Sequence, residues 1–345
     1  MKTLAQWIEQ AHQLGATQLR MVSQKLPEIR LNKGWQTFGE SPVAPQWLRE
    51  QVRTLADSAM AGSAASDLSQ GGVLRGELRG IDGANYVATL CDQGYYLLIH
   101  LEQNLLQPLQ IADYNLPPLY LQSLQKNPGL YVICGAQRSG KSRLAAALAD
   151  DLCQKGLGVA AFADTPLSLK ELSAVNFHSS RLVQAEALTS GFDVIVIDSL
   201  LPGSWRQGLL LAEQGLRVIM TSPQAELRTA CLRLGEKVSS ENGLARLTAS
   251  LQSVIQLRLV DGLEEKKQMA YALLSLTDSL RGLINNHSWS ELQKAMFESS
   301  DNLGSRTLNQ CLMNLMLKRK IDFKVGFAES PNPEELDHML ERVGV

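Results

Sequence analysis

The chain has 345 residues, 45% of them hydrophobic and 20% charged, with a formal net charge of −2. That length favours two or three domains, and the composition is ordinary for a globular protein. A balance so near neutral excludes a bulk electrostatic attraction to nucleic acid, which is therefore not an expected partner, or to an anionic membrane. The five cysteines (Cys91, Cys134, Cys153, Cys231 and Cys311) are scattered and include no CxxC pair. This argues against a disulfide framework or a structural zinc site, and for a reducing cytoplasmic compartment.

In chain order, Leu4, Trp7, Ile8 and Ala11 fall at helical spacing and predict a helix over 3–13, with Gly15 as its C-cap. The N-terminus carries charges inside this pattern and lacks the apolar core of a signal peptide. Residues 17–31 read as short strands or turns interrupted by Pro27, and 46–60 as a helix with Leu48, Val52, Leu55 and Ala59 on one face. A small, polar loop is expected at 61–72. Strand-like runs follow at 73–80, 85–92 and 94–102, with DG and QG between them as hairpin signals. Residues 1–105 are thus predicted to form a small α/β domain rich in antiparallel pairing, and 106–128 a Pro-marked linker.

From 129 the texture changes. Short apolar strands at 131–135, 157–164, 192–200 and 216–222 alternate with helical stretches, the pattern of a mostly parallel sheet with both faces covered. A nucleotide-binding core is assigned to 129–260 and a mainly helical part to 261–345, with 245–260 also read as helix and only 271–276 as strand. Ser330 and Glu334 suggest the start of a terminal helix. No run approaches the ~18 apolar residues of a membrane span, so any membrane contact is expected to be peripheral.

The chemistry concentrates at Gly135-Ala136-Gln137-Arg138-Ser139-Gly140-Lys141-Ser142, a full match to G-x-x-x-x-G-K-[ST], followed by Arg143. Glycines let successive backbone N–H groups converge on phosphate oxygens, and the helix that follows adds its unpaired N–H groups. Lys141 is placed to reach the β- and γ-phosphates of ATP, and the Ser142 hydroxyl to ligate Mg²⁺. Cys134, beside the loop, reads as a small buried hydrophobe. Asp198, ending the apolar run 194–197, is the Walker B acid that would hold Mg²⁺ through water. Asp164, ending the strand before it, is a second candidate for catalysis. Either aspartate could equally cap a helix.

These segments resemble the type IV pilus retraction ATPases (PilT/PilU-like) of the type II/IV secretion ATPase superfamily. Beyond the phosphate loop, the likeness rests on SLQSVI (250–255), SLRGLI (279–284) and LGSRTLNQCLMNLM (303–316). At the N-terminus it rests on GATQLR (15–20) and LPEIRLNKGW (26–35). The resemblance implies an α/β fold with an N-terminal PAS-like domain and a RecA-like P-loop ATPase domain with a helical C-terminal part. It also implies a hexameric ring, homomeric or mixed with a retraction ATPase, acting in twitching motility. Such a ring stands on an inner-membrane platform protein at the cytoplasmic base of the machine.

The departures from the family pattern fall on its catalytic positions. Ala163-Asp164-Thr165-Pro166 stands where the family has a Glu-Asp-Pro box. Ser199 takes the position of the Walker B Glu, and alternation would turn Asp198, one residue earlier, to the strand's other face. Pro223 stands at the His of the His box. The strand matching the family's nucleotide-reaching arginines, 85–89, has none, and a later one falls near His100. A transition-state Arg alone is worth about 10³–10⁵ in rate. The expected protein is a nucleotide-binding relative with weak or no hydrolysis, acting as a regulatory or accessory motor subunit. An active retraction ATPase using Asp164 or Asp198 as base, and a scaffold with a vestigial loop, stay open as alternatives.

Overall fold

The computed structural model describes residues 2–31, 34–59, 73–79, 85–92, 97–103, 110–164, 167, 169, 174–178, 182, 191–199, 203–238, 243–263, 267–298 and 304–344. The expected loop at 61–72, the DG and QG turns, and Thr165 and Pro166 lie outside the described residues, as does most of 264–267. The chain divides into two compact units, Met1–Gln107 with Asp164–Pro166, and Pro108–Ala163 with Leu167–Val345.

The first unit begins with α1 (Leu4–Gln13), closed at its N-terminus by a capping box. The Gln6 amide donates to the Thr3 hydroxyl, and the Thr3 amide donates to Gln6 Oε1 at 2.9 Å. Then come β1 (Gln18–Val22), β2 (Glu28–Leu31), β3 (Gly34–Thr37), α2 (Pro45–Ala59), β4 (Val73–Arg79), β5 (Asn85–Asp92) and β6 (Leu97–Gln103). The strands form one antiparallel sheet in the order β3-β2-β1-β6-β5-β4, the PAS-like N-terminal domain. Alternation puts Leu19, Met21, Leu90, Ile99 and Leu101 on one face, where Ile8 of α1 and Leu48 and Val52 of α2 cover them. Arg20 sits on the other face, pairs with Glu28 (Nε to Oε2, 2.8 Å), and lies 4.2 Å from the Trp35 ring centre. His100 is its direct cross-strand neighbour on β6.

The second unit opens with a 3₁₀ turn at Ile111–Tyr114 and α3 (Pro118–Lys126). The segment read as a Pro-marked linker thus carries Tyr114, Leu116, Tyr120 and Leu124 into this unit's own core. Next are β7 (Gly129–Gly135), α4 (Lys141–Gln154), β8 (Val159–Ala163), β9 (Ala174–His178), β10 (Val194–Asp198), α5 (Ser204–Glu213) and β11 (Arg217–Ser222). They continue into α6 (Leu227–Val238), α7 (Gly243–Ser250), β12 (Leu251–Asp261) and β13 (Lys267–Ser275). The chain ends in α8 (Asp278–Asn285), α9 (Trp289–Glu298), α10 (Leu308–Leu317), α11 (Phe323–Glu329) and α12 (Pro333–Val343). The seven strands run in the order β13-β12-β7-β11-β10-β8-β9, parallel throughout except for the antiparallel β12–β13 pair. One face packs on α4, α10 and α12, the other on α5, α6, α8 and α9. This is the RecA-like core. Among the described residues no helix is long and apolar enough to cross a membrane.

Three expectations need correction. The helix expected over 245–260 stops at Ser250, and 251–261 is a strand between β7 and β13. Leu251, Val254 and Ile255 mimic helical spacing because this strand is buried on both faces and so loses its alternation. Residues 174–178, taken as part of a helical connection, add the parallel edge strand β9. The terminal helix starts at Asn332, whose side chain accepts the Glu335 amide with Pro333 at the first helical position. Ser330 instead ends α11 and donates its hydroxyl to the buried Asn309 Oδ1 at 2.7 Å.

Candidate functional site

The site grows from the C-terminal edge of the parallel strands, where open α/β sheets bind their ligands. β7 delivers the chain at Gly135 and α4 removes it at Lys141, so residues 136–140 form a short arch between strand and helix. A Cβ on Gly135 would lie 2.7 Å from the Leu257 carbonyl of β12, so only glycine fits against that neighbouring strand. Gly140 enters the helix at φ 92°, in the left-handed region that glycine adopts without strain. Arg138 adopts φ 65°, a conformation unusual for a side-chain-bearing residue and characteristic of tight functional loops.

Within the arch, Lys141 Nζ donates to the carbonyl oxygens of Gly135 (2.9 Å) and Ala136 (2.7 Å), drawing the ammonium inside the loop. Desolvation lowers its pKa from the usual lysine value, and the nearby Asp198 carboxylate acts in the opposite direction. The Ser139 side chain is buried, and its hydroxyl has no partner. Ala136, Gln137, Arg138 and Ser142 are exposed, while Lys141 and Arg143 are half-buried. Cys134 is fully buried, and desolvation with the neighbouring Cys231 raises its thiol pKa far above the ordinary value. It is a packed apolar residue, not a nucleophile.

Asp198 and Ser199 fall on opposite faces of β10, as strand alternation expects. Val194 and Val196 pack in the cluster that contains Leu144 and Leu148 of α4, whereas Ile195 and Ile197 point into the opposite cluster. Asp198 continues the first row, so its carboxylate shares the face of the phosphate-loop helix. Ser199, at the position of the missing Glu, is buried and belongs to the other row. Thr221 Oγ1 donates to Asp198 Oδ1 at 2.5 Å. β11 lies between β7 and β10, so its end separates the loop from Asp198. The next residues carry a second polar group: the Ser222 hydroxyl bonds Gln224 Oε1 beside the exposed Pro223.

The second unit therefore brings together Gly135 to Arg143 and Asp198. Asp164 follows directly after β8, and it groups with the first unit. The sequence places Thr221 in the stretch 220–224 that stands at the His box, without a role of its own. Its signal was positional: Ile197 pairs with Met220, so the next residues of the two strands, Asp198 and Thr221, face alike.

An antiparallel sheet domain joined to a RecA-like core with a complete phosphate loop defines a two-domain P-loop ATPase fold. Solved structures narrow that class. The pilus retraction motor PilT with bound ADP superposes with a TM-score of 0.75 at 20% identity, covering 98% of this chain and 100% of that one. The DotB ATPase of Legionella pneumophila gives 0.71 at 17% identity over 93% of each chain. The DotB ATPase of Yersinia pseudotuberculosis gives 0.65 at 15% identity over 98% of this chain and 95% of that one. The chain has the fold of these ATPases along nearly its whole length. No protein-family model matches the sequence, and no curated protein matches it.

Proposed function

We propose that the chain binds a Mg²⁺–nucleoside triphosphate, ATP, at 135–143, and hydrolyses it weakly or not at all. The observation that carries this reading is the completeness of the grip beside the replacement of the catalytic positions. The cradle fits phosphate on three counts: a glycine that only glycine can be, a lysine gathered inside the arch, and an aspartate on the same face of the sheet. Lys141 would meet the phosphates. Ser142 and Asp198 would hold Mg²⁺, which supplies charge neutralisation at the phosphoryl group. Ser199 and Pro223 bring neither a carboxylate nor an imidazole to orient water.

The role that follows is that of a ring-forming regulatory or accessory subunit of a pilus or secretion machine at the cytoplasmic face of a membrane. The full-length fold likeness to PilT and DotB supports it. The ring is homomeric or mixed with an active retraction ATPase, since a head-to-tail interface that closes gives a ring. A second reading, active retraction with Asp198 as base, is favoured by one observation, the orientation of Asp198 toward α4.

Thermal unfolding with and without Mg·ATP tests the grip. Nucleotide at 100 times Kd should stabilise wild type by about 2.7 kcal/mol, and Lys141→Ala should lose that shift. Steady-state hydrolysis on the same samples separates the readings: turnover within seconds that disappears in Asp198→Asn supports the active motor. An unshifted wild type overturns nucleotide binding altogether.

A further inference from the structure

We infer that Thr221 is a positioning residue that fixes the Asp198 carboxylate for Mg²⁺. The inference rests on the nucleotide-binding reading above and assigns a residue to its metal arm.

Asp198 is the last residue of β10. It is half-buried, and the electrostatic partner facing it from the loop is Lys141, itself engaged with two loop carbonyls. The Thr221 hydroxyl restrains this carboxylate. It reaches across from β11 and donates at 2.5 Å to one oxygen, Oδ1. A charge-assisted bond of that length ranks among the stronger ones. It also leaves Oδ2 as the oxygen that can accept from metal-bound water.

Thr221 is held in turn. It is buried within the strand, and its backbone pairs with Ile133 of β7, two residues before the loop begins. One residue therefore ties the loop strand to the acid strand. The hydroxyl of Thr221 contacts Asp198, and through it Thr221 acts on the metal arm. Partners of this kind orient a carboxylate and commonly change metal affinity 10–100-fold when removed.

The test is ADP binding by titration calorimetry, with Mg²⁺ and again with EDTA, on wild type, Thr221→Val, Thr221→Ser and Asp198→Asn. The quantity read is the ratio of the two affinities for each protein. Thr221→Val should lower that ratio about tenfold, Thr221→Ser should restore it, and Asp198→Asn should reproduce the valine effect. The Asp198→Asn/Thr221→Val double variant should fall no further than Asp198→Asn alone, since both changes break one arm. If Thr221→Val does not fold, Thr221→Ala takes its place in the same cycle. A valine variant with the wild-type ratio, or a double variant in which the losses add, overturns the inference while leaving nucleotide binding intact. Absence of ADP binding by wild type in both conditions overturns the reading beneath it.

Discussion

Gly135 decides whether the phosphate loop can exist at all. Its Cα faces the Leu257 carbonyl so closely that a Cβ would stand 2.7 Å from that oxygen, a backbone atom that cannot swing aside. Gly135→Ala must push β12 away from β7 or bend the arch, and overpacking of this kind costs about 1–3 kcal/mol. Urea denaturation should show that loss, and the ADP affinity should fall with it. A variant with wild-type stability would mean that the loop does not rest on β12. The same close approach explains what the sequence could and could not reveal here. The loop was legible because its residues are contiguous and each glycine answers a local backbone demand. The Asp198–Thr221 pair was not, because its members are 23 positions apart and meet only through strand pairing.

At the scale of elements, the two segments that carry much of the family likeness, SLQSVI and SLRGLI, turn out to be one structural joint. Arg281 on α8 reaches back and donates through Nη1 to the carbonyls of Thr248 and Leu251, the latter at 2.6 Å. These carbonyls lie where α7 ends and β12 begins, so the guanidinium closes a helix C-terminus that has no intrahelical partners left. The Thr248 hydroxyl adds a 2.8 Å contact to Asn285 at the other end of α8. Arg281→Ala leaves buried carbonyls unsatisfied, and loss of charged hydrogen bonds predicts a cost of about 2–3 kcal/mol. A urea midpoint equal to that of wild type would remove this joint from the account.

That joint also shows why the helix expected over 245–260 had to be divided. Its apolar spacing fits a helix throughout, and the information that ends it at Ser250 sits 30 residues away, in an arginine side chain and in the strand that flanks Leu251. The strands at 131–135, 192–200 and 216–222 were legible because each is a short apolar run between turn signals. β9, with exposed Val175, has no such run and is recruited as an edge by pairing with β8. α1 and α2, each with one apolar face over the first unit's sheet, came through because a single periodicity decides them.

At the scale of the molecule, the two units keep separate cores. Leu19, Met21, Leu48, Leu90 and Ile99 belong to the first unit's cluster, and the clusters on the two faces of the second sheet share no member with it. Every contact of the proposed grip, from Lys141 to Gly135 and Ala136 and from Thr221 to Asp198, lies inside the second unit. Its N-terminal segment is packed as well: Tyr114, Leu116, Tyr120 and Leu124 belong to its core, and a cut before Pro108 retains all four. A fragment of residues 108–345 should therefore unfold in a single cooperative transition and keep the Lys141-dependent shift with Mg·ADP. A cut at 128, at the end of the segment read as a linker, removes those four apolar side chains and should give an aggregating or molten fragment. Circular dichroism melts of both fragments, with and without Mg·ADP, decide between the two boundaries. Equal behaviour of the two would show that α3 is dispensable to the core it packs on. Loss of the shift in 108–345 alone would show that the grip draws on residues of the first unit.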